Sequence, residues 1–399
     1  MFNLISSGSV TSALGFLAGA VHAGIKGKDE FDLAILCSEV PCKAAGVFTT
    51  NQIKSAPVVV SQKNIVRGRA QAIVVNSGCA NACMARQGVA DARVMVNLTA
   101  AKLGISPEEI LIASTGIIGV PLPMDSIRAA MPKIKPTREG GHDFCRAIMT
   151  TDTKPKELAV HADSKEAEFT IGAAAKGIGM IHPDLATMLC FIATDAVVSP
   201  DFLHAALQRA VDCSFNMLSI DGDTSPNDCV FLLANGLAGN EPIDFDNGGD
   251  FQEALDTTCI DLAKSMAQDG EGATKLIEII VEGAEDQAGA RQVARNIASS
   301  PLVKAAVNGN DPNWGRVVAA AGRSGAKVRE DRLDVYLSNV CVMKQGCPTP
   351  FSREDMKSSW SASDNVLIRL CLHLGDGRAT TWGCDLSEEY VRINSSYTS

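Results

Sequence analysis

Residues 176–190, near the middle of the 399-residue chain, combine apolar side chains with groups that can do chemistry. They read KGIGMIHPDLATMLC, in which two glycines and a proline disfavour a regular helix. The run carries a small residue, Ala186, and a hydroxyl residue, Thr187, into apolar surroundings. We therefore expect the protein to cut its own peptide bond between these two residues.

Such a cut would turn Thr187 into a chain terminus with both a hydroxyl and a free amine. A threonine hydroxyl is a weak nucleophile and needs a base beside it. The new α-amine is a suitable base because its reference pKa is about 8. Ala186 on the upstream side leaves room for the attack. The alternative is the start of an ordinary strand over 188–192, and spacing alone favours it, because Ala-Thr pairs are common.

Composition indicates a globular protein and excludes several classes of partner. Hydrophobic residues make up 46% of the chain and charged residues 21%, without a long block of one sign, so extended disorder is not expected. The formal net charge of −10 argues against nucleic acid or an anionic membrane as partner. No apolar run reaches the ~18 residues of a transmembrane helix. The apolar run 13–23 lacks a preceding basic region, since the first lysine is Lys26.

The 13 cysteines are scattered and odd in number, which predicts reduced thiols in a cytoplasmic protein. The pairs Cys79/Cys83 and Cys37/Cys42 lack the second pair that a zinc site needs, so no metal is expected. Cys79 is an alternative acyl-enzyme nucleophile, but none of the six histidines is placed beside it by the sequence.

Strand and helix patterns alternate along the chain. We predict helices over 89–103, from 106, and over 124–131, 144–149, 199–213, 251–267 and 287–299. Predicted strands cover 31–36, 56–60, 71–75, 110–114, 158–162, 168–174, 188–192, 230–234, 275–281 and 366–373. Residues 137–142 are predicted to form a surface turn. Buried strands flanked by helices indicate a layered α/β fold.

Eight further segments, together with 176–190, give the chain a family resemblance. They are GVFTTN (46–51), NSGCANAC (76–83), ASTGIIG (113–119), MTTDTKPK (149–156), SIDGDTSPND (219–228), DGEGATK (269–275), NDPNWGR (310–316) and YVRINSSYTS (390–399). In this order they resemble the arginine-biosynthesis glutamate N-acetyltransferase family, also called ornithine acetyltransferases. The resemblance covers nearly the whole chain.

The resemblance implies a fold and a division of the chain. The expected fold is a layered αββα-type sandwich of the self-cleaving ornithine acetyltransferase type, with a smaller C-terminal lobe from about residue 285. Residues 1–186 would form an α chain and residues 187–399 a β chain, interlocked in one fold. Two chains of each kind would assemble as a heterotetramer.

The resemblance also implies roles for single residues. Thr187 would be the nucleophile, Thr115 and Gly116 would form the oxyanion hole, and the cut would separate Ala186 from Thr187. The substrate-binding positions would be Thr150, Lys176, Thr187, Glu271, Asn394 and Ser399. Lys176 could pair with a substrate carboxylate and Glu271 with its α-ammonium. The family usually has threonine where this chain has Ser399, and serine keeps the hydroxyl group.

The implied reaction moves an acetyl group from N2-acetyl-L-ornithine to L-glutamate by a ping-pong mechanism, without a cofactor. Some family members also use acetyl-CoA as donor. Two alternatives stay open: an N-terminal-nucleophile aminopeptidase or amidohydrolase, in which water is the acceptor, and an uncleaved binding protein. Free acetate as product would indicate the aminopeptidase or amidohydrolase. A single band of about 42 kDa on a denaturing gel would indicate the uncleaved binding protein.

Overall fold

A computed structural model describes residues 2–27, 29–163, 167–182 and 188–396. Three positions that the sequence predicts to act in the site, Ala186, Thr187 and Ser399, lie outside these described residues.

The strands and helices alternate along the chain as the patterns predict. The strands are β1 (Phe2–Leu4), β2 (Phe16–Val21), β3 (Leu33–Phe48), β4 (Arg69–Cys79), β5 (Ile110–Ile117), β6 (Lys156–Asp163), β7 (Glu168–Lys176), β8 (Leu189–Thr194), β9 (Leu218–Ser219), β10 (Cys229–Ala234), β11 (Leu276–Ala284), β12 (Asp334–Leu337), β13 (Val340–Lys344), β14 (Cys347–Pro348), β15 (Asn365–Cys371) and β16 (Gly377–Cys384). The helices are α1 (Ala56–Ile65), α2 (Ala85–Leu103), α3 (Met124–Ala130), α4 (Gly141–Ile148), α5 (Pro200–Cys213), α6 (Gly249–Gln268), α7 (Gln287–Ala298), α8 (Pro301–Asn308), α9 (Trp314–Gly322), α10 (Arg353–Ser361) and α11 (Glu388–Ser396).

In the described chain the strands form two mixed sheets. The larger sheet has nine strands in the order β1-β6-β7-β8-β10-β3-β4-β5, and β2 pairs with β3 beside this path. The smaller sheet has seven strands in the order β14-β13-β12-β15-β11-β16-β9. Helix α6 packs against strands of both sheets. These stacked sheets confirm the layered α/β fold class predicted from the sequence.

Each sheet face is covered by an apolar cluster. Helices α1 and α2 cover one face of β3, β4 and β5 through Val60, Ala92 and Met95. Helix α4 covers the other face, where Phe144 meets Phe191 of β8 edge to face at 5.3 Å. Burial on both faces explains why β8 and β10 consist of uninterrupted buried residues.

The two predicted fragments interleave within the larger sheet. Strands β8 and β10 follow residue 187 in sequence, yet they lie between β7 and β3, which precede it. Strand β8 pairs with β7 in antiparallel register, with Leu189 opposite Lys176. Strand β10 pairs with β3 from Cys229 opposite Phe48 onward. The sheet therefore needs both parts of the chain. The predicted lobe boundary near 285 falls between β11 and α7.

The local predictions are wrong at two places. Residues 56–60, predicted as a strand, begin α1, because Pro57 suits the first helical turn and the helix places Val58 and Val60 against the sheet. The helix predicted from Ser106 is a single turn over Pro107–Glu109 that leads directly into β5. The predicted surface turn at 137–142 is exposed from Thr137 to Glu139, whereas Gly140 and Gly141 are buried and helix α4 begins at Gly141.

No helix in the described ranges combines the length and the apolar character that crossing a bilayer requires.

Candidate active site

One cavity brings together the predicted site residues that the structure describes. Thr115, Gly116, Thr150, Lys176, Glu271 and Asn394 all line it. The first four belong to the 1–186 part of the chain and the last two to the 187–399 part. The other lining residues are Ile118, Thr151, Gly179, Met180, Ser225 and Asn227.

The Thr115–Gly116 pair lies where the parallel strands β4 and β5 end side by side. Ser77 is the register partner of Thr115, and Gly78 is that of Gly116. Gly116 has a φ of +128°, and a Cβ there would lie 2.3 Å from the carbonyl carbon of Gly78. This conformation and close approach require glycine at position 116. The pair thus offers a hydroxyl and a backbone amide at the cavity, as an oxyanion hole needs.

Lys176, at the end of β7, places its ammonium group among hydroxyls and one carboxylate. Its Nζ donates to Thr150 Oγ1 at 2.7 Å and to Thr115 Oγ1 at 3.4 Å, and lies 3.8 Å from Asp152 Oδ2. Only 3% of the residue is exposed. Burial lowers the pKa of Lys176, while the neighbouring Asp152 carboxylate works in the opposite direction. One of its three N–H bonds remains for a ligand.

A buried network of ion pairs is linked to Lys176 through Asp152. Lys156 Nζ bridges Asp152 Oδ1 at 2.8 Å and Asp269 Oδ2 at 2.6 Å. Asp152 Oδ1 also accepts the Gly177 N–H at 2.9 Å. Burial would raise the pKa of Asp152, but Lys176 and Lys156 together lower it to about 2. Asp152 therefore stays charged and fixes the backbone directly after the lysine.

Glu271 supplies the negative group of the cavity. Its Oε2 accepts from Asn394 Nδ2 on α11 at 2.8 Å, and its backbone N–H donates to Ile178 O at 2.9 Å. The carboxyl group lies directly over Gly179, where a Cβ would be 2.6 Å from the carboxyl carbon. A cation and an anion thus line one cavity, which suits the carboxylate and ammonium groups of an amino acid.

Asn227 ties the turn that carries Thr115 to the second part of the chain. Its Nδ2 donates to Ala80 O at 2.7 Å and to Ser114 O at 2.8 Å. Ser114 directly precedes Thr115, so the amide fixes the end of β5. Asn227 belongs to the SIDGDTSPND segment, which carried the resemblance but received no role from the sequence. The sequence also gave no role to Asp152, Lys156 and Asp269, although they lie in the MTTDTKPK and DGEGATK segments.

The alternative nucleophile Cys79 is poorly suited to the role. Burial raises the pKa of its thiol, and the thiol donates to Val120 O at 3.3 Å. No group of three or more His, Cys, Asp or Glu side chains in the described ranges could hold a metal ion.

The structure thus defines a layered α/β protein in which a cation and an anion line one cavity beside the ends of two parallel strands. Comparison with known proteins identifies the family to which the chain belongs. The model of the ArgJ family matches residues 17–399, so the chain belongs to the ArgJ family. A relative from Dehalococcoides mccartyi, "Arginine biosynthesis bifunctional protein ArgJ", is 52% identical over 99% of this chain and 98% of its own. A relative of the same name from Symbiobacterium thermophilum is 50% identical over 98% of each chain.

A solved structure agrees with this assignment. The crystal structure of arginine biosynthesis bifunctional protein argJ from Bacillus halodurans is 44% identical, with a TM-score of 0.51. It covers 52% of this chain and 98% of its own. The predicted family is thus confirmed.

Proposed function

We propose that the protein cuts itself between Ala186 and Thr187 and then transfers acetyl from N2-acetyl-L-ornithine to L-glutamate through Thr187. Acetyl transfer in arginine biosynthesis agrees with the ArgJ family membership. The observation that carries the proposal is the shared cavity of Thr115, Gly116, Thr150, Lys176, Glu271 and Asn394. Thr115 and Asn394 are 279 positions apart in the sequence, and both line this cavity.

The position of the neighbouring strands supports a cut beside this cavity. Leu189, two residues after Thr187, pairs with Lys176. Gly179 and Met180, on the connection between the two strands, line the cavity. The chain therefore passes the cavity on its way to the predicted cleavage point.

The length of the solved relative also supports the cut. The matched part is 52% of 399 residues, or about 207, and it makes up 98% of the solved chain. That chain is therefore about 210 residues long, close to the 213 residues from 187 to 399. The curated relatives, in contrast, match over their full length.

In the proposed mechanism, the Thr187 hydroxyl attacks the acetyl carbonyl of acetylornithine. The Thr115 hydroxyl and the Gly116 N–H donate to the developing oxyanion. Because Lys176 donates to Thr115 Oγ1, the Thr115 hydrogen stays available for this bond. The Thr187 α-amine takes the hydroxyl proton and passes it to the leaving amine of ornithine.

Binding and the second half-reaction use the same groups. Lys176 pairs with the substrate carboxylate, and Glu271, oriented by Asn394, pairs with its ammonium group. Glutamate then enters as acceptor, and its amine attacks the acetyl-Thr187 ester to give N-acetylglutamate. Thr150 holds the lysine, and Ser399 adds a hydroxyl contact at the chain end.

Three finer statements belong to the same proposal. We propose acetyl-CoA as a further donor, in agreement with the word "bifunctional" in the relatives' names. We propose a heterotetramer of two 1–186 and two 187–399 chains. The compartment is the cytoplasm, supported by thirteen cysteines that are free thiols in the structure.

Intact mass spectrometry combined with a product assay tests the proposal. The wild type should give two masses that match a cut after Ala186, and should form N-acetylglutamate from acetylornithine and glutamate. Thr187→Ala should give one mass and no transfer, while Thr187→Ser should retain some of both. Acetyl transfer at the wild-type rate by Thr187→Ala would refute the assignment of Thr187 as the nucleophile. Free acetate in place of N-acetylglutamate would instead identify an amidohydrolase.

A further inference from the structure

A single loop, residues 220–228 between β9 and β10, holds the described chain on both sides of the predicted cleavage point. Upstream, Asp221 accepts the Met180 N–H on Oδ2 at 2.6 Å and the Ile181 N–H on Oδ1 at 2.8 Å. The Ile220 N–H donates to Ile181 O at 2.8 Å. The chain leading to the cleavage point is thus fixed by three hydrogen bonds.

Downstream, the same loop fixes the residue that directly follows Thr187. Asp228 Oδ1 accepts the Met188 N–H at 2.9 Å, and the Cys229 N–H donates to Met188 O at 3.2 Å. The Asp228 side chain is fully buried. Its Oδ2 has no hydrogen-bond partner among the described residues.

The loop 220–228 is itself anchored to the larger sheet. Thr49 Oγ1 donates to Ser225 O at 2.8 Å, and the Ser55 N–H donates to Pro226 O at 2.9 Å. Asn227 links the loop to the Thr115 turn through Ala80 and Ser114. Both ends of the segment that contains the cleavage point are therefore held by one anchored loop that also contacts the oxyanion-type turn.

We propose that Asp221 and Asp228 are positioning residues for self-cleavage, which hold the chain on either side of the bond between Ala186 and Thr187. In this step the Thr187 oxygen bonds to the Ala186 carbonyl carbon, the C–N bond breaks, and the hydroxyl proton goes to the α-nitrogen. Water then hydrolyses the resulting ester and releases both termini. Fixed ends accelerate such an intramolecular attack because they restrict the chain to reactive geometries. The inference rests on the proposed cut.

The two aspartates should respond differently to an amide substitution. Asp221 accepts one backbone N–H on each carboxylate oxygen. An asparagine at 221 would keep one of these hydrogen bonds through its carbonyl oxygen, but its NH2 group would face the other backbone N–H, which it cannot accept. Asp228 accepts the Met188 N–H on one oxygen, and burial raises its pKa well above the ordinary value, which favours the neutral carboxyl. An asparagine at 228 keeps the carbonyl acceptor of that neutral group.

The test follows cleavage of the full-length chain during cell-free synthesis, with samples taken over time and separated on denaturing gels. We expect Asp228→Asn to cleave within about threefold of the wild-type rate, because it keeps the bond. Asp221→Asn and Asp228→Ala should be slower by about tenfold or more. Thermal melting of each product shows whether the variant has folded.

Asp195→Asn is the matched control. Asp195 also accepts two backbone N–H groups, from Thr170 at 2.7 Å and Leu14 at 2.9 Å, but lies beyond the far end of β8. The Asp195→Asn variant should lose the same kind of hydrogen bond to a backbone N–H and still cleave at the wild-type rate.

Wild-type rates in both Asp221→Asn and Asp228→Ala would overturn the inference. Equal slowing in Asp195→Asn would overturn it too, since that would reflect general destabilisation. An uncleaved, folded wild type would instead refute the proposed function itself.

Discussion

Lys176 places a buried cation at the cavity of a chain whose net charge is −10. Two hydroxyls and the Asp152 carboxylate surround its ammonium group, so the charge is compensated without a tight ion pair. A substrate carboxylate could therefore accept a hydrogen bond from the remaining N–H of Lys176. In the proposed function, this local positive charge would select the ligand at the cavity.

We expect Lys176→Met to raise the KM for acetylornithine by about tenfold to a hundredfold, the usual effect of losing a hydrogen bond to a charged group. The matched control is Lys275→Met. Lys275 is also buried, but it donates to the Trp360 and Ser363 carbonyls, away from the cavity. Steady-state kinetics with both variants provides the measurement. An unchanged KM in Lys176→Met would mean that this lysine is only structural.

Asp152 should make stability depend on pH in the acid range. Its folded pKa of about 2 lies below the ordinary 3.8, so its stabilisation is present above pH 3.8 and is lost as the pH falls toward 2. The shift corresponds to about 2 kcal/mol. Asp152→Asn should melt below the wild type at pH 5, and the two should converge near pH 2. A constant gap between their melting temperatures over that range would contradict this.

At the scale of elements, paired strand ends decide the geometry of the oxyanion-type turn. Strands β4 and β5 run parallel and end together, and Gly78 and Gly116 approach each other there without side chains between them. The backbone N–H of Gly116 can therefore face the cavity in a conformation that L residues rarely adopt. The function of the turn depends on the sheet register as much as on the residue type.

Gly116→Ala should therefore reduce kcat by about a hundredfold or more, the usual cost of removing an oxyanion donor. The added methyl group would collide with the Gly78 backbone and displace the amide. Gly119→Ala is the control from the same turn: its φ is +80°, but no atom lies within 4 Å of a Cβ there. Both variants carry backbone strain, and only the first should lose transfer in a kinetic assay. Equal kinetics in the two would refute the assignment.

Pattern reasoning predicted most elements near the site and failed where packing decided. The strand 110–114 ending in Thr115 and the helix stopped by Gly104 are confirmed, because a buried apolar run and a left-handed cap are local signals. Residues 56–60 have an equally apolar pattern but form helix α1. Pro57 is a local signal for a first helical turn, but the apolar pattern alone does not show that this helix packs against the sheet.

The site itself could be predicted only through the resemblance. Lys176 and Glu271 are 95 positions apart, and no spacing rule brings their side chains into one cavity. The resemblance named both residues, yet it gave no role to Asp221 or Asp228, although both lie in a segment that supported it. Their contacts with Met180, Ile181 and Met188 depend on how the loop 220–228 meets a distant part of the chain.

For the whole molecule, the interleaved sheet means that a cut would leave two chains in one folded body. Strands β8 and β10 are hydrogen-bonded to β7 on one side and β3 on the other, so separation would break pairings on both sides. It would also expose the apolar cluster in which Phe191 and Phe231 meet Phe144 and Phe48. Separation would therefore lose the stabilisation that comes from burying this apolar cluster.

We therefore expect the cleaved protein to elute from a gel-filtration column as one species that contains both fragments, and to melt in a single transition. The fragments should separate only in denaturant, where a gel shows two bands. Uncleaved Thr187→Ala is the control and should melt within about 5 °C of the cleaved form, because the same contacts hold both forms together. Independent elution of the fragments under native conditions, or two separate transitions, would show that each part folds alone and that the shared sheet does not hold them together.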